Sequence, residues 1–257
     1  MTKIRMAVFD IDWTLFDHHQ GGFTPSALRA IFAAKKNGVK IVIASGRAYH
    51  LIERIGALDA IPYDAVIASN GACIYIGKKC VYQRPLNKEA MATLMRRMNQ
   101  HQILVELITA RGSFINLPRN EAMNQIYFHF PADTPPIIAY KNQTVLTGIL
   151  FMSASNDHLI QDLPFDFHRF HEQGVDIFDK ENHKGNALLK TCEFLHINIE
   201  ACIAFGDDTN DIEMLLAAGV GVAMGNAKPQ LLEVADFITH PIEQDGIEFA
   251  LKKYEVI

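Results

Sequence analysis

The residues best placed for chemistry stand at the ends of apolar runs. Asp10-Ile11-Asp12-Trp13-Thr14 puts two carboxylates two positions apart at the mouth of the apolar run Met6–Phe9. A hydrophobic interior does not hold such a pair without a counter-charge. Gly206-Asp207-Asp208-Thr209-Asn210-Asp211 adds three carboxylates within five residues, and these repel one another unless a cation sits among them. Oxygen-only ligands suit a hard ion, and magnesium takes a few carboxylates with water and substrate oxygens completing its shell. A helix cap with acidic residues facing the macrodipole accounts for one of the three and not for all. Two further pieces fit an anion. Ser45-Gly46-Arg47 follows an apolar run and opens a helix, where a hydroxyl and free N–H groups face a phosphate. Lys184 begins another helix, where the dipole disfavours a lysine unless something negative holds it.

The elements that position these groups alternate strand and helix. Met6–Phe9, residues 39–44 and Ala65–Ala68 are short apolar strands ending at Asp10, at Ser45-Gly46-Arg47 and at Ser69-Asn70-Gly71. Strands that end in small or polar residues build a site at the carboxyl edge of an open α/β sheet. Thr24-Pro25 starts a helix and Gly38 stops it. Cys73–Ile76 and residues 80–83 read as a hairpin around Gly77. The middle has a different order: a helix over residues 87–101, then strand-like runs at 103–108, 114–117, 148–152 and 165–170, with Pro131, Pro135 and Pro136 between them. The rhythm resumes with a helix at 185–195, strands at 202–205 and Val220–Ala223, and a last helix after Asp245. The expected fold is therefore α/β: a Rossmann-like parallel-sheet core from residues 1–83 and 176–257, with an α+β domain, 84–175, inserted.

Composition narrows the partners. Of 257 residues, 49% are hydrophobic, enough for a sizeable core, and the net charge of −5 argues against a general positive field for nucleic acid or an anionic membrane. A local metal and a few cations still suffice for one small phosphorylated metabolite. Four cysteines without CxxC spacing fit free thiols in a reducing compartment. Met1–Arg5 has no signal-peptide core, and residues 215–224, the most apolar stretch, are too short to span a bilayer. A soluble, cytoplasmic protein is expected, with no oligomeric state legible.

Taken in order, the four pieces resemble the haloacid dehalogenase superfamily of phosphatases: DxDxT at Asp10 to Thr14, Ser45, Lys184, and GDxxND at Gly206 to Asp211. Ser45-Gly46-Arg47, Ser69-Asn70-Gly71, Lys184-Gly185, the run from Gly221 to Ala227 and Asp245-Gly246 are similar to the Cof-type branch, which carries a large α/β cap between its second and third motifs. The resemblance implies a magnesium-dependent phosphatase acting through an aspartyl-phosphate. Asp10 would be the nucleophile and Asp12 the general acid/base. Ser45, Lys184 and Asn210, with the backbone of Ile11 and Gly46, would hold the phosphate. Asp10, Asp207 and the main-chain carbonyl of Asp12 would bind Mg2+, with Asp211 orienting its waters. Sugar phosphates lead as substrates, followed by phosphorylated cofactors; the alternatives are a phosphomutase and a catalytically silent phosphate sensor. The cap is expected to close over substrate.

Some residues stand outside these roles. Trp13, the one tryptophan, occupies the family's usual glycine position, which leaves the width of the leaving-group region open. Asp208 has no assigned role. His18-His19 reads as a solvated loop, His168 and His171 lack a third ligand for zinc, and Met91, Met95 and Met98 read as packing.

Overall fold

A computed structural model describes residues 2–129 and 134–257; Pro131 lies outside them. The chain forms two compact units, one from Met1–Tyr82 with Asn182–Ile257 and the other from Gln83–Glu181.

The first unit is built on one eight-stranded sheet. Its order is Phe237–Ile238, Val220–Ala223, Cys202–Gly206, Met6–Phe9, Lys40–Ala44, Ala65–Ala68, Cys73–Ile76 and Lys79–Gln83. The strands from Phe237–Ile238 to Ala65–Ala68 run parallel, and Cys73–Ile76 turns back antiparallel. Met6–Phe9 and Ala65–Ala68 are buried at every residue, as strands covered on both faces must be. The helix Pro25–Lys36 turns Ala27, Ala30, Ile31 and Ala34 inward and ends on Lys35 and Lys36, which favour its negative terminus. The helix Lys184–Leu195 buries Ala187, Leu188 and Cys192 in the same core as Val8, Val42 and Ile67.

Register brings the two acidic segments together. Phe9 and Phe205 are partners on adjacent parallel strands, and their rings stack with centroids 5.0 Å apart. Such a stack contributes roughly 0.5–1.5 kcal/mol beyond the buried area. The next residue, Asp10, donates its N–H to the Phe205 carbonyl at 3.0 Å. Asp10 and Gly206-Asp207 thus leave the sheet side by side.

The second unit has a five-stranded antiparallel sheet in the order Asp166–His171, Gly174–Phe178, Thr147–Phe151, Leu104–Thr109 and Gly112–Ile115. One face carries the helix Lys88–Gln100, whose first turn is capped by the Asn87 side chain accepting from Glu89 N and Ala90 N, both at 3.0 Å. Met91, Leu94, Met95 and Met98 pack there against Val105, Leu107, Leu150, Val175 and Ile177. The other face packs Leu104, Ile115 and Phe151 against Met123, Ile126 and Tyr127 of a second helix, Glu121–His129.

Two features differ from the sequence expectation. Gln83 and residues 176–181, expected in the core, fall in the second unit; of these, 176–178 belong to the strand Gly174–Phe178 and pair inside its sheet, with Thr147–Phe151 and Asp166–His171 as neighbours. Their apolar alternation marks a strand without naming its sheet, because pairing is non-local. The helix Glu121–His129 is also absent from the expectation, because its packed apolar residues Met123, Ile126 and Tyr127 span under two turns, too short a run to establish a helical period.

Candidate active site

Lys184 is the hinge of the site. It is the first residue of its helix and 0% exposed, and its Nζ donates to Asp10 Oδ1 at 2.6 Å and to Asp211 Oδ1 at 2.7 Å. Burial pulls the ammonium toward its neutral form, but Asp10 and Asp211 outweigh that and hold it above the usual lysine range. The negative partners that its helix position demanded are therefore present.

Around it gather three buried carboxylates. Ligand oxygens of Asp10, Asp207 and Asp211 all lie within 4.8 Å of one another. Burial drives Asp10 well above the ordinary carboxylate range; Lys184 opposes this, while Asp211 and Asp207 add to it. Burial, reinforced by Asp211, pushes Asp207 up to about 7 against the pull of Lys184 and the Thr14 hydroxyl. That hydroxyl donates to Asp207 Oδ1 at 3.1 Å, which explains the threonine of the first motif. Three carboxylates with one ammonium leave negative charge in a buried place, and their all-oxygen character fits a hard divalent cation.

Asp211 is fixed by more than Lys184. Its Oδ2 accepts from the backbone N–H groups of Asp207 at 3.0 Å and Asp208 at 3.2 Å. A side chain on Gly206 would stand 2.5 Å from the Asp211 carboxylate, so glycine is required for this fold-back. Asp208 points elsewhere: its side chain caps the turn Thr209–Asp211 and pairs with Lys228 at 2.7 Å. Capping thus involves two of the three carboxylates rather than the expected one, because Asp211 returns the bond by accepting from Asp208 N, and only Asp207 stands outside it.

Ser45 sits at the end of Lys40–Ala44, 1% exposed, its Oγ accepting from Arg47 N at 3.1 Å. Above Gly46 lies the Asn70 amide, which would be 3.2 Å from an added Cβ; Asn70 Oδ1 also accepts from Asn210 Nδ2 at 3.0 Å. Asn70 is therefore a site neighbour that carried no assignment from sequence. Its signals in the sequence were its place at the end of Ala65–Ala68 and its membership of the Ser69-Asn70-Gly71 motif. The Ile11 carbonyl closes the first loop by accepting from Leu15 N at 2.8 Å and Phe16 N at 2.7 Å.

The Asp12 side chain stands apart from the carboxylate cluster. Arg47 grips it twice, Nε to Oδ2 at 2.8 Å and Nη2 to Oδ1 at 2.6 Å, and His18 Nε2 donates to Oδ1 at 2.6 Å. Burial favours its neutral form, yet the bonds from His18 and Arg47 win and hold it well below the usual carboxylate range. His18, expected in a solvated loop, instead bonds this candidate acid/base; His19 beside it is exposed. Trp13 adopts φ +61°, the left-handed region that favours glycine. Asn226 Nδ2 donates to its carbonyl at 2.9 Å, and its ring lies 5.0 Å from that of His18 and 4.9 Å from that of His19.

The sequence profile of haloacid dehalogenase-like hydrolases matches residues 7–251. The chain is 29% identical over 254 residues to YkrA of Bacillus subtilis (strain 168), covering 97% of each protein. It is 28% identical over 265 residues to the pyridoxal phosphate phosphatase YbhA of Escherichia coli (strain K12), covering 95% of this chain and 96% of that one. Among solved structures, a phosphatase of the haloalkanoate (HAD) enzyme superfamily from Bacteroides thetaiotaomicron superposes with a TM-score of 0.87 at 28% identity, covering 99% of this chain and 96% of that chain. A subclass IIB sugar phosphatase superposes with a TM-score of 0.85 at 26% identity, covering 98% and 100%.

Proposed function

Because the chain belongs to the haloacid dehalogenase-like hydrolases, we propose that it is a phosphoric monoester hydrolase acting on a small phosphorylated metabolite through an aspartyl-phosphate on Asp10. The observation that carries this reading is the buried Lys184 holding Asp10 at 2.6 Å within a cluster of three carboxylates. Phosphoryl transfer needs alignment and charge neutralisation more than elaborate covalent chemistry, and this arrangement is suited to both.

In the proposed reaction, Asp10 bonds to phosphorus through the oxygen not held by Lys184, as the ester oxygen departs with a proton from Asp12. Water then attacks the phosphorus, gives its proton to Asp12 and frees Asp10. Dividing one displacement in two is what a carboxylate nucleophile contributes, and one acid/base serves both halves. The Ser45 hydroxyl, the backbone N–H groups of Ile11 and Gly46, and the Asn210 amide hold the phosphoryl oxygens. Arg47 and His18 keep Asp12 ionised, the form that takes a proton from water. A phosphate dianion beside Ser45 competes for Arg47, and that exchange lets Asp12 carry the proton the leaving oxygen needs.

Asp10, Asp207 and the Asp12 carbonyl would hold magnesium, with Asp211 beside them. The cation supplies neutralisation of the phosphoryl oxygens. The relatives that support a substrate class act on a sugar phosphate in one case and on pyridoxal phosphate in another, so both classes are proposed. The second unit is proposed as the cap that selects between them.

Phosphate release from a panel of sugar phosphates and phosphorylated cofactors, with and without magnesium, is the test. Hydrolysis of panel members that disappears on chelation is expected. An inactive protein across the panel, or full activity after exhaustive chelation, contradicts the reading.

A further inference from the structure

His18 is held as firmly as the residue it touches. Its ring lies 5.0 Å from Trp13 on one side, tilted by 46°, and 5.0 Å from Phe16 on another, tilted by 59°. Phe16 in turn meets Phe23 edge-on at 5.2 Å. The neighbouring Asp17 is fully buried, and its Oδ1 accepts from His19 N at 2.8 Å and Gln20 N at 3.3 Å. The turn is therefore anchored immediately before and after His18, and its imidazole is aimed at Asp12. An aspartate has two rotatable side-chain bonds, and Arg47 alone leaves its carboxylate free to follow the guanidinium wherever it moves. His18 comes from a different segment and gives Oδ1 a second, independent anchor.

This arrangement also accounts for the tryptophan. A bulky residue in the left-handed region is strained, and glycine would avoid that cost. Trp13 at φ +61° places an indole against the His18 ring, which glycine cannot do.

We infer that His18, caged by Trp13 and Phe16, is a positioning residue that fixes the Asp12 carboxylate for proton transfer to and from the leaving oxygen. The inference rests on the phosphatase reading and deepens it. While Asp10 forms its bond to phosphorus and the ester P–O bond breaks, Asp12 must present one oxygen to the departing atom. His18 secures that orientation when Arg47 turns toward the phosphate.

Proton donation matters for an alkoxide and little for a nitrophenolate, and that difference separates positioning from general structural support. kcat/KM should be measured for an alkyl phosphate monoester and for p-nitrophenyl phosphate in wild type, His18→Phe and His18→Gln. His18→Phe keeps a ring in the cage and removes the donor; His18→Gln keeps an N–H donor. His18→Phe should lose roughly ten- to a hundred-fold on the alkyl ester, a part of what a general acid supplies. Its loss on the nitrophenyl ester should be less than about three-fold, and Gln should recover most of the alkyl activity. Equal losses on both esters, no loss on either, or a Gln variant as poor as Phe would overturn the assignment. Independently of turnover, the ring 15N resonances of His18 should move in Asp12→Asn, and unmoved resonances would also overturn it. A wild type that hydrolyses neither ester removes the phosphatase reading instead, and the His18–Asp12 bond is then decided by the resonances alone.

Discussion

The chemistry at the scale of single residues turns on charge that is buried and paired. Asp10→Asn should abolish phosphate release, and Asp12→Asn should reduce it by about a hundred- to ten-thousand-fold, the usual worth of an acid/base. Near-normal turnover by Asp10→Asn, read from released phosphate, would remove the nucleophile assignment. Lys184→Met is a stability test as well. Breaking a fully buried pair leaves uncompensated charge, so the metal-free variant should lose about 3–5 kcal/mol in denaturant unfolding. A loss below about 1 kcal/mol would mean that the carboxylates simply take up protons in its place. These residues were legible in the sequence because each motif is contiguous: Asp10 to Thr14 and Gly206 to Asp211 declare themselves by spacing. The partners of Asp12 were not. Arg47 is 35 positions away and His18 six, and no periodicity links a loop histidine to a carboxylate.

At the scale of elements, the turn after Met6–Phe9 gives the sharpest test. Position 13 needs a left-handed residue, and the indole there trades backbone strain against ring contacts. The strain in an L-residue costs roughly 1–2 kcal/mol, and the ring contacts return about 0.5–1.5 kcal/mol. Trp13→Gly should therefore melt close to wild type, while Trp13→Ala, which keeps the strain and loses the rings, should melt lower than either. Thermal melts of the three proteins decide it, and an alanine variant as stable as the glycine one would contradict the argument. The strands of the core were readable because parallel strands are short apolar runs ended by small or polar residues. The strand Gly174–Phe178 was not among the expected strands, and its last three residues were assigned to the core rather than to the second sheet. Sheet membership is decided by hydrogen bonds to Thr147–Phe151, some thirty residues earlier, and not by local pattern.

For the molecule as a whole, two units with separate hydrophobic clusters imply separable folding. The second unit is one continuous segment, and Arg84 Nε bonds Asp179 Oδ1 at 2.9 Å near its two ends. Expressed alone, residues 83–181 should give a cooperative thermal transition; a featureless melt would show that its clusters are insufficient. The carboxylate cluster sets the pH response of the whole metal-free chain. With its folded pKa raised from 3.8 to about 7, Asp207 retains a proton in the folded state that the unfolded chain has already lost. Its contribution to stability is therefore complete below the ordinary carboxylate range and is lost as the pH rises through about 7. Magnesium should raise the melting temperature more at pH 8 than at pH 5, where protons occupy the ligands. Equal shifts at the two values would argue against binding at these carboxylates. Among the described residues no helix is long and apolar enough to cross a membrane, and the interior is used instead to hold this acidic cluster against one lysine.

The central claim, that phosphate passes through Asp10, can be tested by trapping. In Asp12→Asn, where water attack on the phosphoenzyme is slowed, a good phosphate ester and magnesium should leave an acyl-phosphate that borohydride reduces. Peptide mass spectrometry should then find residue 10 converted to homoserine, only when both ester and magnesium were present. Turnover that leaves Asp10 unmodified, or that marks a different carboxylate, would contradict the account.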